Sequence, residues 1–247
     1  ITFIITRAIP GNPAATLLGP QASNEDIAKL EEELGLDESL GKQYINYIGQ
    51  LLKGDFGKSY SFNQPVSKML INRLPNTLLL SLTSLVLAIL IGIPIGIISA
   101  VKQYTPFDYI SMIIALVGVS MPIFWLGLML VLIFSVNLGW LPSISMGSIE
   151  NGIGDVLLHM ILPVVCLTTI PTATFARITR SSMLEVINLE FIKSLRAGGL
   201  KEKVVIYKHA LKNALPPIVT VIGMQLANSF TGAILTETMF AWPGMGT

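Results

Sequence analysis

The chain alternates long uncharged stretches with short polar ones. No Asp, Glu, Lys or Arg interrupts residues 77–101, 109–149, 156–176 or 213–236. A bilayer core about 30 Å thick takes roughly 20 apolar residues of helix, so each stretch is long enough to cross it. The second is too long for one span, and Gly139, Trp140 and Pro142 end its helix near Asn137. The pattern therefore predicts spans over about 77–101, 109–137, 156–176 and 213–236. Gly92, Pro94 and Gly96 fall inside the first. Such residues are tolerated in membrane helices, and small ones let a neighbouring helix approach closely.

The apolar run at residues 1–9 is too short to span. Residues 1–10 read as the outer end of a first helix that begins before the chain does, and WPGMGT stops abruptly after the last span. Residues 11–73 form a polar region with eight acids and six bases. Within it, NEDIAKLEEELGL has helical spacing, with Ile27, Leu30, Leu34 and Leu36 on one side and Asn24 placed to cap it. Residues 44–52 read as a second short helix, and GDFGKSYSFNQPV is turn-rich. The expectation is a small folded extramembrane region at 11–73 and a membrane domain at 74–247.

Composition supports a polytopic all-α membrane protein. Charged residues make up 13% of the chain and hydrophobic residues 52%, and mean hydropathy is +0.68. An ordinary soluble domain carries about 25% charged residues. The net charge of +1 gives no bulk attraction to nucleic acid. Cys166 is the single cysteine; it excludes an intrachain disulfide and reads as a small embedded hydrophobe.

The distribution of charge sets the orientation. Residues 177–212 hold eight Lys and Arg against three acids, whereas residues 138–155 hold none against two acids. These loops flank one predicted span, so they lie on opposite sides, and the basic one faces the cytoplasm. Residues 11–73 are then external. The basic loop has helical periodicity, then Gly198-Gly199, then helical periodicity again. Gly199 suits the left-handed turn that ends a helix. With apolar Leu195, Ala197 and Leu200 between basic edges, the element could dock into a groove on a cytoplasmic partner or rest on anionic lipid headgroups.

Other chemistry is thin. GDFGKS holds a Gly-Lys-Ser, but Leu52 stands where a P-loop needs glycine. Ser39 and Lys42 match a Ser-x-x-Lys pattern without supporting motifs. His159 and His209 are the only histidines and have no cysteine near in sequence, so no His/Cys metal cluster is expected; His159 reads as interfacial. Trp125, Trp140 and Trp242 suit span packing or interfacial anchoring. The spans carry no Asp or Glu away from their ends, which disfavours an intramembrane enzyme, a channel or an autonomous carrier.

RAGGLKEKVVIYKHALKNALPP resembles the coupling segment of ABC-importer permeases of the dipeptide, oligopeptide and nickel group. Arg196, Ala197, Gly199, Leu200, His209, Ala210, Leu211, Asn213 and Pro217 match that group's pattern. Leu195 stands where the group usually has Ala, and Gly198 where it often has Lys. GVSMPIFWLGLMLVLIFSV, ARITRSSMLEV and GAILTETMFAWPGMG resemble the B-type subunit, and the likeness extends over essentially the whole chain. It implies a type I ABC importer transmembrane fold in the cell membrane. It also implies a homologous second permease subunit, two cytoplasmic ATPase subunits and an external substrate-binding protein as partners. It implies import of dipeptides or oligopeptides, with nickel or a metal chelate as the rival cargo. Hydrolysis would reside in the ATPases, so the chain itself would be no enzyme and need no cofactor. The resemblance assigns Arg196, Ala197, Gly199, Leu200, His209, Ala210, Leu211 and Asn213 to ATPase coupling, and Glu237, in TE-x-x-F-x-x-PG-x-G, becomes an outer-gate candidate.

Overall fold

A computed structural model describes residues 3–5, 12–19, 22–59, 62 and 64–247. Residues 3–5 are helical; the rest of the predicted end of a first span lies outside the described residues. The chain divides into two compact units, Ile1–Asn72 and Arg73–Thr247.

Among its described residues the first unit holds, besides helical residues 3–5, the short helices α1 (Pro13–Leu18), α2 (Asn24–Glu33) and α3 (Leu40–Leu52). Pro13 opens α1, where its missing N–H costs nothing, and the Asn12 side chain accepts from the Ala14 and Ala15 amides. The cap of α2 is Ser23, whose hydroxyl accepts from the Asp26 amide at 3.2 Å. The predicted cap, Asn24, is already helical; Ser23 wins because its extended backbone aims the oxygen at the third amide. Gln43 is buried and its amide donates to the Leu36 and Glu38 carbonyls, which closes the turn into α3. The turn-rich stretch carries Gly54 and Gly57 at positive φ and ends in a two-residue antiparallel pair, β1 (Lys58–Ser59) with β2 (Gln64–Pro65).

The longest helix, α4 (Val66–Val101), begins in the first unit and runs through the second. It is followed by α5 (Pro106–Ser120), α6 (Ile123–Leu130) with a π-helical continuation Val131–Asn137, and α7 (Ile153–Ile187). Then come α8 (Glu190–Ala197), α9 (Glu202–Val204), a π-helical stretch Val205–Ala210, and α10 (Leu211–Met239). Two of these helices, α4 and α7, are each apolar and long enough to cross a bilayer; two bent pairs pass the same test taken together, giving up to four crossings.

The largest departures from the charge-free stretches are three. The helix predicted at 109–137 is two helices bent by 104°. The bend sits at Met121–Pro122, both in extended backbone. Proline has no N–H to continue the ladder and pushes the residue before it out of the helical region. α4 starts eleven residues before Thr77, and α7 continues eleven residues past Ala176. Absence of charge marks how much helix lipid can cover, whereas a helix itself continues through Lys, Arg and Glu, which are good helix formers.

α4 and α7 meet at Gly92 and Gly96. A Cβ at Gly92 would stand 2.6 Å from the Thr172 carbonyl oxygen, and one at Gly96 would stand 2.6 Å from both the Ala176 carbonyl oxygen and Thr179 Cβ. The four-residue spacing puts both glycines on one face, so the two backbones touch. Phe175, Leu85 and Ala88 fill the layer beside this contact.

Candidate functional site

The basic stretch after α7 folds as a compact element. Leu189, in extended backbone, turns the chain from α7 into α8. Glu190 opens α8 and Arg196 closes it, each at the end whose helix dipole favours its sign. The helix stops in a Schellman motif: the Leu200 amide donates to the Leu195 carbonyl at 3.3 Å and the Gly199 amide to the Arg196 carbonyl at 3.0 Å. Gly199 has φ +77°, a left-handed conformation that a side chain penalises. Gly198 has φ −75°, which any residue adopts. The need for glycine thus rests on Gly199, and Gly198, where the sequence departs from its group, is conformationally neutral. Arg196 reaches across the break to Glu202, with Nη2 donating at 2.8 Å and Nε at 3.2 Å. The Glu202 carboxylate holds the Arg196 guanidinium above the usual arginine range.

This element has two faces. Ile192, Val205, Ile206 and Ala210 are buried in one cluster with Ile97 and Ala100 of α4, Met183 and Val186 of α7 and Ala214 of α10. Leu195 packs on the same cluster, so it faces inward, unlike the docking surface predicted for it. Arg196, Ala197, Gly199, Leu200, Asn213 and Pro217 are exposed, His209 and Leu211 are half-buried, and Ala210 is buried. The Asn213 amide donates to the His209 carbonyl at 2.8 Å. The matched residues therefore separate: most present themselves outward, and Ala210 helps to fix the element to the spans. Sequence reasoning missed Ile192, Val205 and Ile206, although their alternation with Lys and Glu carried the signal.

A second missed feature lies between α5 and α7. Asp108 is buried in the first turn of α5 and accepts from Arg180 Nε at 2.5 Å and Nη2 at 2.7 Å. It also accepts from the Tyr104 amide at 3.1 Å, which holds Tyr104 at φ +63°. A two-pronged Arg–carboxylate pair fixes distance and orientation together. It ties the α4–α5 turn to the part of α7 that leads into α8. Charge counting gave Arg180 only a topological meaning because α7 was expected to end before it.

At the opposite end of the spans, Glu237 of α10 is fully buried. Thr77 Oγ1 donates to its Oε1 at 2.6 Å and the Gly246 amide to its Oε2 at 2.7 Å. The last residues fold back over it: Trp242 is buried, its indole donates to the Asn76 carbonyl at 3.1 Å, and Asn76 donates to the Pro243 carbonyl at 2.8 Å. A Cβ at Gly244 would collide with the Glu237 carboxylate. The acid, the tryptophan and the glycines of TETMFAWPGMG are thus parts of one lock. His159, nearby in sequence to the acidic loop, has Nδ1 2.8 Å from the Asp155 carbonyl and 3.4 Å from its carboxylate. Among the described residues no three His, Cys, Asp or Glu gather as metal ligands. Cys166 is buried, with its thiol directed at the Ile123 carbonyl at 3.4 Å.

Residues 92–247 match the family model of the binding-protein-dependent transport system inner membrane component, and residues 1–83 match the model of that component's N-terminal region. The chain belongs to this family of ABC-importer permeases. It is a multi-pass component of the cell membrane. The dipeptide transport system permease protein DppB of Alkalihalophilus pseudofirmus is 48% identical, over all of this chain and 80% of its own length. The oligopeptide transport system permease protein AppB of Bacillus subtilis is 40% identical, over all of this chain and 79% of its own length. Among solved structures, an inward-facing conformation of the MetNI methionine ABC transporter aligns with TM-score 0.57 at 21% identity, covering 73% of this chain and 78% of the other. That likeness establishes the type I importer fold.

Proposed function

We propose that this permease passes dipeptides or oligopeptides across the membrane as the B-type subunit of an ABC importer, with α8, the Gly199 turn and α9 as the ATPase docking element. Relatives named for dipeptide and oligopeptide transport match the chain from end to end at 48% and 40% identity. This full-length likeness favours peptides over nickel chelates. The partners in this reading are a homologous second permease, two cytoplasmic ATPases and an external binding protein.

The carrying observation for coupling is the two-faced element. Arg196, Ala197 and Leu200 are exposed, while Ile192, Val205 and Ile206 are packed against α4, α7 and α10. A force applied to the exposed face therefore reaches three spans through close-packed side chains, which transmit displacement because interiors have few voids. The Asp108–Arg180 pair extends that connection to α5. Glu237 then serves as the internal anchor of the outer end, holding residues 242–247 against the start of the membrane part of α4. An exposed apolar or basic surface gains from burial against a partner, and truncation of one of the few dominant contacts costs about 2 kcal/mol or more.

The test is Ala197→Trp in the complete transporter. The expected result is a complex whose permease folds and inserts normally but whose ATP-driven uptake falls about tenfold, equivalent to roughly 1.4 kcal/mol of lost coupling. Unchanged uptake and unchanged ATP hydrolysis would remove the docking assignment.

A further inference from the structure

A cavity of about 310 Å³ lies among α4, α7 and α10 in the second unit. Its size is at the lower end of the roughly 300–1,000 Å³ typical of small-molecule sites. Five neutral polar side chains line it: Ser81 and Ser84 from α4, and Gln225, Asn228 and Ser229 from α10. Among the described residues no charged side chain lines it. A second cavity, of about 370 Å³, has walls that are mainly Leu, Ile, Val and Ala, with the short hydroxyls of Ser111, Thr168, Thr169 and Thr172 and no amide side chain among its described lining. Polar groups inside a membrane domain are costly unless bonded, so any at this cavity without a partner in the chain call for a ligand that bonds them.

Ser81 sharpens the point. It is 4% exposed and its hydroxyl has no hydrogen-bond partner among the described residues. Ser84 and Ser229 spend their hydroxyl protons within their own helices, on the Leu80 carbonyl at 2.8 Å and the Gln225 carbonyl at 2.7 Å. Both oxygens still accept. The Gln225 and Asn228 amides supply donors and acceptors together. The wall thus offers both halves of an amide hydrogen bond and no fixed charge.

Backbone irregularity points to the same place. Ile123, at the 104° bend between α5 and α6, lines the cavity, and so do Pro171 and Leu167 of α7. Pro171 lacks the N–H that would donate to the Leu167 carbonyl. Interrupted helices at membrane depth occur where they are buried in protein or line a polar cavity, and transporters build cargo sites from them.

We infer that this cavity is where a translocated peptide's backbone amides are held in passage, with Ser81, Ser84, Gln225, Asn228 and Ser229 as the contacts. The class of ligand is a short peptide, bound through the N–H and C=O that every peptide shares. Neutral walls leave side-chain charge unread, so the site passes peptides of differing sequence. This inference rests on the peptide reading above.

The test uses the complete transporter in proteoliposomes with its binding protein and radiolabelled L-alanyl-L-alanine. Ser81→Leu and Gln225→Leu each lower uptake about tenfold, while ATP hydrolysis stimulated by loaded binding protein stays within about twofold of wild type. Ser81→Thr keeps the hydroxyl and keeps uptake within about twofold. Undiminished uptake in both leucine variants overturns the assignment. Should Ser81→Leu fail to assemble, Ser81→Cys in a Cys166→Ala background carries the test: a methanethiosulfonate-ammonium reagent labels it, and the dipeptide slows labelling during turnover. Absent labelling, or labelling indifferent to the dipeptide, overturns it as well. A wild-type complex that takes up no dipeptide fails the peptide reading itself, a result separable from a defect confined to the variants.

Discussion

At the scale of single residues, three positions carry most of the meaning. Gly199 is the one glycine of its pair that the backbone requires. Gly199→Val forces a β-branched residue into the left-handed region at about 1–2 kcal/mol. The expected outcome is a complex of normal composition with reduced ATP-coupled transport, whereas Gly198→Ala leaves transport as in wild type; parallel uptake assays on the two variants check it. Glu237 is the second. Glu237→Ala strands the buried Thr77 hydroxyl and the half-buried Gly246 amide, and an unsatisfied buried donor costs about 1–3 kcal/mol. The prediction is a lower thermal unfolding midpoint of the purified permease complex, with earlier protease cutting near residues 242–247. Ala197 is the third, through its exposed position on α8. The glycine pair was legible in the sequence, and so was the strangeness of an acid ending an apolar span. What Glu237 touches was not, because Thr77 lies 160 residues away and no local pattern announces so distant a partner.

At the scale of elements, hydrophobic runs located the membrane helices but not their ends. The α5–α6 bend was readable only through Pro122, which sits in an otherwise continuous apolar run. Length and hydropathy say nothing about direction, so one predicted span became two helices. The Gly92–Gly96 contact fared better, since small residues at a four-residue spacing have a direct packing meaning. Gly96→Leu places a branched side chain where even a Cβ stands 2.6 Å from the α7 backbone. Overpacking of this kind costs about 1–3 kcal/mol or more, and the expected outcome is a sharp loss of folded permease in detergent by size-exclusion chromatography. The Asp108–Arg180 pair links elements that charge counting kept apart. Asp108→Ala leaves Arg180 without its carboxylate, at a cost approaching the roughly 3–5 kcal/mol of a broken buried pair, discounted because the Arg180 side chain keeps 23% exposure. Thermal unfolding of Asp108→Ala should fall well below wild type, and Asp108→Leu paired with Arg180→Met should recover much of the loss. Equal midpoints for the single and double variants would show that the pair contributes through something other than charge.

At the scale of the molecule, the chain reads as a transmission. Its exposed α8–α9 element is packed on α4, α7 and α10, an ion pair brings in α5, and the Glu237 lock secures the far end. Between them lies a cavity with neutral polar walls. Fold class followed from apolar length, whereas the proposed orientation and docking element rest on Lys and Arg placement and the segment around Gly199. The cavity did not, because Ser81, Gln225 and Asn228 are unremarkable in sequence and acquire meaning only when α4, α7 and α10 converge. The central claim is that this transmission moves peptides. Its most direct measurement is ATP-dependent uptake by the reconstituted transporter, offered a labelled dipeptide and a labelled nickel chelate in separate vesicles with the cognate binding protein. Accumulation of the dipeptide alone, abolished without ATP, is the predicted result; accumulation of the nickel chelate with none of the dipeptide would contradict it.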